Sequence, residues 1–155
     1  MPQWRGNRAG AKDTFSERLE DGRIVIAVEQ KQLADPLTLV AALAREIGRS
    51  IVFERHLVQA DSAEVEPLGD LMTVFRGLGV FTANTAFDFT QYAGGGRQGW
   101  SVRRRGSLSE ETLGYALAYY ARLRGEANPR WVRHLKPNVA QFFKQSTRYL
   151  GNRRR

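Results

Sequence analysis

The amino-acid sequence predicts an α+β fold, predominantly α. Three observations support this: four segments whose apolar residues recur at three and four, one short β-branched run, and one pair of alternating segments around a glycine cluster. With 155 residues and 42% hydrophobic content, the chain can bury one core but not comfortably two. The expected organisation is a basic flexible arm over residues 1–22, one domain over 23–150 and a basic tail over 151–155.

The arm mixes Gly, Arg, Lys and Asp with little periodicity. "RIVIAV" (23–28) reads as a strand. "ADPLTLVAALAREIGRS" then opens a helix: Asp35 caps it, Pro36 suits the first turn, and Leu37, Val40, Leu43, Ala44 and Ile47 form an apolar stripe centred on Leu43. A second helix begins at Pro67, with Leu68, Leu71, Met72 and Phe75 as its core face and Gly77 and Gly79 breaking or bending it. "FDFTQYAGGGRQGWSVRRRG" (87–106) reads as a small β-hairpin. In "SLSEETLGYALAYYARLRGE", Ser107 and Glu110 have capping-box spacing. Leu113, Ala116, Leu117 and Tyr120 share a face, and Gly125 stops the helix. Pro137 and Asn138 introduce the last helix, in which Val139, Phe142, Phe143 and Leu150 pack while Lys144 and Arg148 stay wet.

The net charge of +8 is unevenly placed. All 16 acids lie at or before Glu126, and residues 1–126 carry as many bases as acids, so the whole excess falls in the last 29 residues. An anionic partner, nucleic acid or acidic protein, is therefore expected at 130–155. The candidate anion-binding residues are Arg130, Arg133, Lys136, Lys144, Arg148, Arg153, Arg154 and Arg155. A second cluster, Arg103, Arg104 and Arg105, joins them if the hairpin folds back onto the last helix. Trp131, Phe142, Phe143 and Tyr149 are interleaved with these cations, as contact with unpaired bases requires, although Phe142 and Phe143 also suit the core. The absence of cysteine excludes disulfides, thiolate metal sites and cysteine nucleophiles. With no apolar run near the roughly 20 residues of a membrane span and no hydrophobic leader segment, a soluble, cytoplasmic protein without a membrane partner is expected.

"LVAALAREIGRS" places Arg45, Glu46 and Arg49 on one helix, and "EPLGD" places Glu66 and Asp70 one turn apart on the next. Together with "DPLTLVAALAREIGRS", "EPLGDLMTVFRGLGVFTANTAFDF", "GSLSEETLGYALAYYARLRGE" and "WVRHLKPNVAQFFKQSTRYL", these blocks resemble bacterial zinc-metallopeptidase-like proteins. In that class H-E-x-x-H is followed by a helix carrying E-x-x-x-D. The resemblance spans about residues 30–150 and implies a zincin-like helical domain. It also implies a general base at Glu46, a third metal ligand at Glu66 and a supporting acid at Asp70.

Both histidine ligands of the pattern are replaced, by Arg45 and Arg49. Guanidinium has no lone pair for zinc and stays protonated. His56 and His134 lack ligand spacing to the acids, and "GGGRQG" lacks the lysine, strand and helix of a phosphate loop. Arg45 and Arg49 lie roughly opposite Leu43, at about 100° per residue, and are therefore expected outside the core. They are expected to replace the metal electrostatically, pairing with Glu66 and with Asp70 or Glu46. No catalytic residue is expected to be active and no cofactor to be bound. The resulting reading is a catalytically inactive, metallopeptidase-like binding or structural module. The alternatives are a nucleic-acid-associated basic protein and a peptidase that keeps zinc at a rearranged site.

Overall fold

The computed structural model describes residues 14–28, 30–94 and 97–152, with backbone alone at 14–18, 31 and 88–104. In chain order the elements are β1 (Thr14–Arg18), β2 (Ile24–Val28), a 3₁₀ turn (Gln30–Ala34), α1 (Pro36–Glu54), α2 (Val65–Phe75), α3 (Gly79–Thr85), β3 (Phe87–Gly94), β4 (Arg97–Arg104), α4 (Glu110–Leu123), a second 3₁₀ turn (Arg130–His134) and α5 (Pro137–Asn152). The fold is α+β and predominantly α. Among the described residues no helix is long and apolar enough to cross a membrane.

The two sheets are antiparallel hairpins. β3 and β4 pair from Phe87 opposite Arg104 to Gly94 opposite Arg97, as the glycine cluster predicts, and Arg105 N–H extends the ladder to Ala86 O at 3.0 Å. The other hairpin corrects the sequence reading. Residues 14–18 of the expected flexible arm form β1 and pair with β2, Thr14 opposite Val28 and Arg18 opposite Ile24. The alternation of β1 is short and rich in polar residues, and its pairing is set by the partner strand rather than by its own composition. Residues 1–13 and 153–155 lie outside the described residues.

The α1 cap is built as expected. Asp35 Oδ1 accepts from Thr38 N–H at 3.2 Å and Oδ2 from the Thr38 hydroxyl at 2.6 Å. The buried face of α1 is not the expected one. Thr38, Ala41, Ala42, Ala44, Glu46, Gly48, Arg49 and Val52 are buried, whereas Ile47 is 43% exposed and Leu37 is exposed too. The reason lies at the crossing with α2. A Cβ at Gly48 would stand 2.2 Å from Gly69 O, and one at Gly69 would stand 2.9 Å from Arg49 Cγ. Only two glycines let the backbones approach this closely, and the approach turns the charged side of α1 inward.

α2 is rotated correspondingly. It begins at Val65, two residues before Pro67, and buries Val65, Gly69, Asp70, Thr73 and Val74, whereas Leu68, Leu71 and Met72 are half-buried and Phe75 is exposed. It ends where Gly77, at φ +81°, donates to Val74 O and Leu78 N–H donates to Thr73 O.

The apolar core lies on the other side of α3, where Val74, Ala83, Leu113, Leu117, Ala121, Leu135, Val139, Phe143 and Leu150 meet. The α4 face formed by Leu113, Ala116 and Leu117 is buried as its periodicity predicts. Its cap is Ser109, which accepts from Thr112 N–H at 3.2 Å, rather than Ser107. α5 runs beside α4 in the same direction: Gly114 faces Phe142 and Phe143, and Arg122 Nη1 donates to Leu150 O at 2.9 Å.

Two stability measurements check these packing assignments. Gly48→Ala is expected to lower stability by about 1–3 kcal/mol through overpacking, whereas Gly151→Ala, which meets nothing within 4 Å, leaves the urea midpoint unchanged or raises it. Asp35→Ala is expected to cost about 1 kcal/mol at neutral pH. The Thr38 hydroxyl and N–H hold the Asp35 pKa below its ordinary 3.8. The cap is therefore at full strength above that value and is lost as pH falls through the lowered pKa. Wild-type and variant midpoints should converge at that acid end.

Candidate functional site

The Gly48–Gly69 crossing brings together all five residues of the peptidase-like pattern. Arg49 is 6% exposed and reaches two acids. Its Nη2 pairs with Glu46 Oε1 within the same helix, and its Nη1 donates to Glu66 Oε1 at 2.9 Å. Glu46 is 2% exposed, whereas the Glu66 side chain stands half in solvent. The expectation that both arginines lie outside the core is therefore overturned for Arg49, while Arg45 is partly buried with its side chain 14% exposed. Guanidinium groups enter an interior when carboxylates enter with them, and periodicity weighs each residue without its partner.

Arg45 spans more of the fold. Its Nε lies 3.3 Å from Asp70 Oδ1. Its Nη2 is within 3.1 Å of Thr82 O and 3.3 Å of both Thr85 Oγ1 and Arg105 O. Burial lowers the Arg45 pKa from its ordinary value; the Asp70 carboxylate opposes that shift, and the charge of Arg105 adds to it. Asp70 Oδ2 in turn accepts from Ser107 N–H at 2.6 Å and Leu108 N–H at 3.1 Å. Gly106 makes this possible: its φ is +83°, and a Cβ there would fall 2.8 Å from both Arg45 Nε and Asp70 Oδ2. This loop contact was not legible in the sequence. Ser107 resembled half of a capping box, but its amide serves Asp70 instead.

The side chains at this place do not suit the zinc ion that the resemblance implies. Positions 45 and 49 present N–H donors, and the carboxylates of Glu46, Glu66 and Asp70 are turned onto guanidinium or backbone N–H groups. Among the described residues no three or more His, Cys, Asp or Glu side chains gather as metal ligands. His56 sits exposed just past α1 at φ +50°, and exposed His134 accepts from Arg133 Nε at 3.1 Å.

The basic end is partly assembled. Arg130, Arg133 and Lys136 are exposed around the second 3₁₀ turn, which Asn84 clamps by donating to His134 O at 2.7 Å and accepting from Lys136 N–H at 2.8 Å. Lys144 and Arg148 are exposed on α5, one turn apart, and line a shallow groove with Gln141 and Gln145. The second cluster does not join them as envisaged. The β3–β4 hairpin packs against α3 and has at most marginal contact with α5. Arg105 joins the Arg45–Asp70 site through its carbonyl, which accepts from Arg45 Nη2, while Arg103 and Arg104 stand in β4 opposite Asp88 and Phe87.

The rings expected to serve bases also divide. Phe143 is buried with Trp131 packed edge-on at 5.4 Å, and Trp131 Nε1 donates to Glu126 Oε2 at 3.0 Å. Phe142 packs over Gly114, and Tyr149 alone of the four is exposed. Two further exposed rings, Tyr115 and Tyr119, escaped the sequence reading; "YALAYY" contained the signal, with tyrosines four apart and off the Leu113–Leu117 face.

Comparisons with family profiles, curated proteins and solved structures found no match. The likeness to zinc peptidases therefore rests on the quoted residues.

Removing one partner from each pair tests the ranking of these contacts. Asp70→Asn leaves Arg45 buried without its counter-charge and is expected to cost about 3–5 kcal/mol. Glu66→Gln, at the wet end, should cost less than about 1 kcal/mol. Denaturant midpoints at constant m-value report both, and equal losses would contradict the ranking.

Proposed function

We propose that the chain is a non-catalytic module of zinc-peptidase-like architecture, in which two guanidinium groups take the electrostatic place of the metal and whose basic C-terminal segment meets an anionic partner. The observation that carries this reading is the pairing of partly buried Arg45 with buried Asp70, and of buried Arg49 with buried Glu46 and half-exposed Glu66. Carboxylates gathered without a cation repel one another, and the two arginines return the missing positive charge at the two positions where the pattern expects ligands. A general base must reach a water molecule. Glu46 is instead buried and ion-paired, which supports a structural role for it. Arg45, Arg49, Glu66 and Asp70 link α1 to α2, α3 and the 105–108 loop, while Glu46 pairs with Arg49 within α1.

The partner side of the proposal draws on charge. All the excess cations follow Glu126, and Arg130, Arg133, Lys136, Lys144 and Arg148 are exposed. A cytoplasmic location suits the cysteine-free composition.

The test is metal analysis with equilibrium unfolding. Wild-type protein should carry no stoichiometric zinc, and its stability should not change with chelator. The double variant Arg45→His, Arg49→His should lose stability without zinc and recover part of it when zinc chloride is added. Stoichiometric zinc in the wild type, with peptide hydrolysis that a chelator abolishes, would overturn the non-catalytic reading.

A further inference from the structure

We infer that the outer surface of α4 and α5 is a binding platform for single-stranded nucleic acid, in which tyrosine rings take bases and the adjoining cations take phosphates. The inference rests on the reading of the chain as a binding module with an anionic partner, and it names that partner. Tyr115 and Tyr119 are one turn apart on the side of α4 facing away from the Leu113–Leu117 core, and they are 39% and 40% exposed. Tyr149 of α5 is 51% exposed, with its ring centroid 6.5 Å from that of Tyr115 at an interplanar angle of 56°. Three phenol rings from two helices thus share one surface. Each ring keeps a large share of its surface open to solvent, and flat faces of this kind are what unpaired bases stack on.

The charges beside the rings suit a phosphate backbone. Lys144 and Arg148 are exposed on α5 and line a groove with Gln141 and Gln145; Arg148 directly precedes Tyr149 in the helix, and Gln145 stands one turn before it. Arg122 is anchored on Leu150 O at the far end of the platform. The acid on the tyrosine side of α4 is Glu111, one turn before Tyr115, and it bounds the patch at the start of the helix. No acid follows Glu126 in the chain. A duplex would present phosphates to the cations but keep its bases stacked on one another, and an acidic peptide would offer the rings nothing to stack on. The combination of rings and cations therefore favours a single strand.

Fluorescence anisotropy with the full chain tests this, using a labelled oligothymidylate, a duplex of equal length and a polyglutamate peptide over a salt series. The single strand should bind tightest. Tyr119→Ala and Tyr149→Ala should each weaken it about 5- to 100-fold, as expected for one lost stacking contact, while Tyr119→Phe and Tyr149→Phe, which keep the ring, should bind like wild type. Lys144→Gln and Arg148→Gln should each reduce the salt slope by about 0.7. Equal affinity for duplex and single strand with no effect of the tyrosine variants would overturn the platform while leaving a basic binding module in place. So would binding confined to polyglutamate. Failure to bind any of the three polyanions would sink both the platform and the module reading.

Discussion

The ion pair between Arg45 and Asp70 is the contact through which most of the structure is connected. Arg45 leaves α1 and meets α2 through Asp70, α3 through Thr82 and Thr85, and the segment after β4 through Arg105 O. Asp70 then takes the two amides that lead into α4. A buried pair of this kind adds little to net stability, because desolvating both charges offsets their attraction, yet breaking it is expensive. Its effect falls on geometry: four segments distant in sequence are held in the one arrangement that lets the Arg45 Nη2 group reach Thr82, Thr85 and Arg105 while its Nε faces the Asp70 carboxylate. Gly48 and Gly69 are the steric condition for that arrangement, since any side chain at either would hold α1 and α2 too far apart.

The interior consequently has two chemistries. Around α1, α2 and α3 it mixes buried Ala41, Ala44, Val52 and Val65 with polar groups, the two ion-pair groups and the Thr73–Thr82 hydroxyl contact at 2.9 Å. Between α3, α4 and α5 it is apolar, filled by Leu113, Leu117, Val139, Phe143 and Leu150. Non-directional burial organises the second half, and directional donors and acceptors organise the first. α4 belongs to both: its start is held by Asp70 and its body by the apolar core. Its outer face is then available to present tyrosines on a rigid support, and a binding surface benefits from that rigidity because little ordering remains to be done when a ligand arrives.

Legibility in the sequence follows the same division. α4 and α5 were readable because their stripes are apolar and their boundaries are marked, with Gly125 after the end of α4 and Pro137 at the start of α5. Gly125, at φ +69°, ends α4 where expected. The β3–β4 hairpin was readable from its alternation and its glycines. α1 and α2 were readable as helices but not as to which face is buried, because hydropathy ranks Ile47 above Glu46 while the fold buries Glu46 and exposes Ile47. β1 was missed because its residues pair with β2 without carrying a strand pattern of their own. Of the candidate site, the five charged residues were joined by the resemblance, since their spacing alone fits a solvated helix face equally well. The backbone amides of Ser107 and Leu108, and the carbonyl of Arg105, carry no side-chain signature and had to be found in space.

The sequence by itself determined the helical class of the chain, the turn of the β3–β4 hairpin, the placement of every excess cation after Glu126, and the presence of arginine at 45 and 49 beside acids at 46, 66 and 70. These are properties of residue types and their spacing along one chain, and local chemistry suffices to read them. The tertiary structure decided which charges are buried and with whom, which rings face the core and which face water, and how one glycine pair lets two helices meet. Those outcomes depend on groups brought together from distant parts of the chain. The free energy of a buried charge is set by its partner, and no single segment contains both.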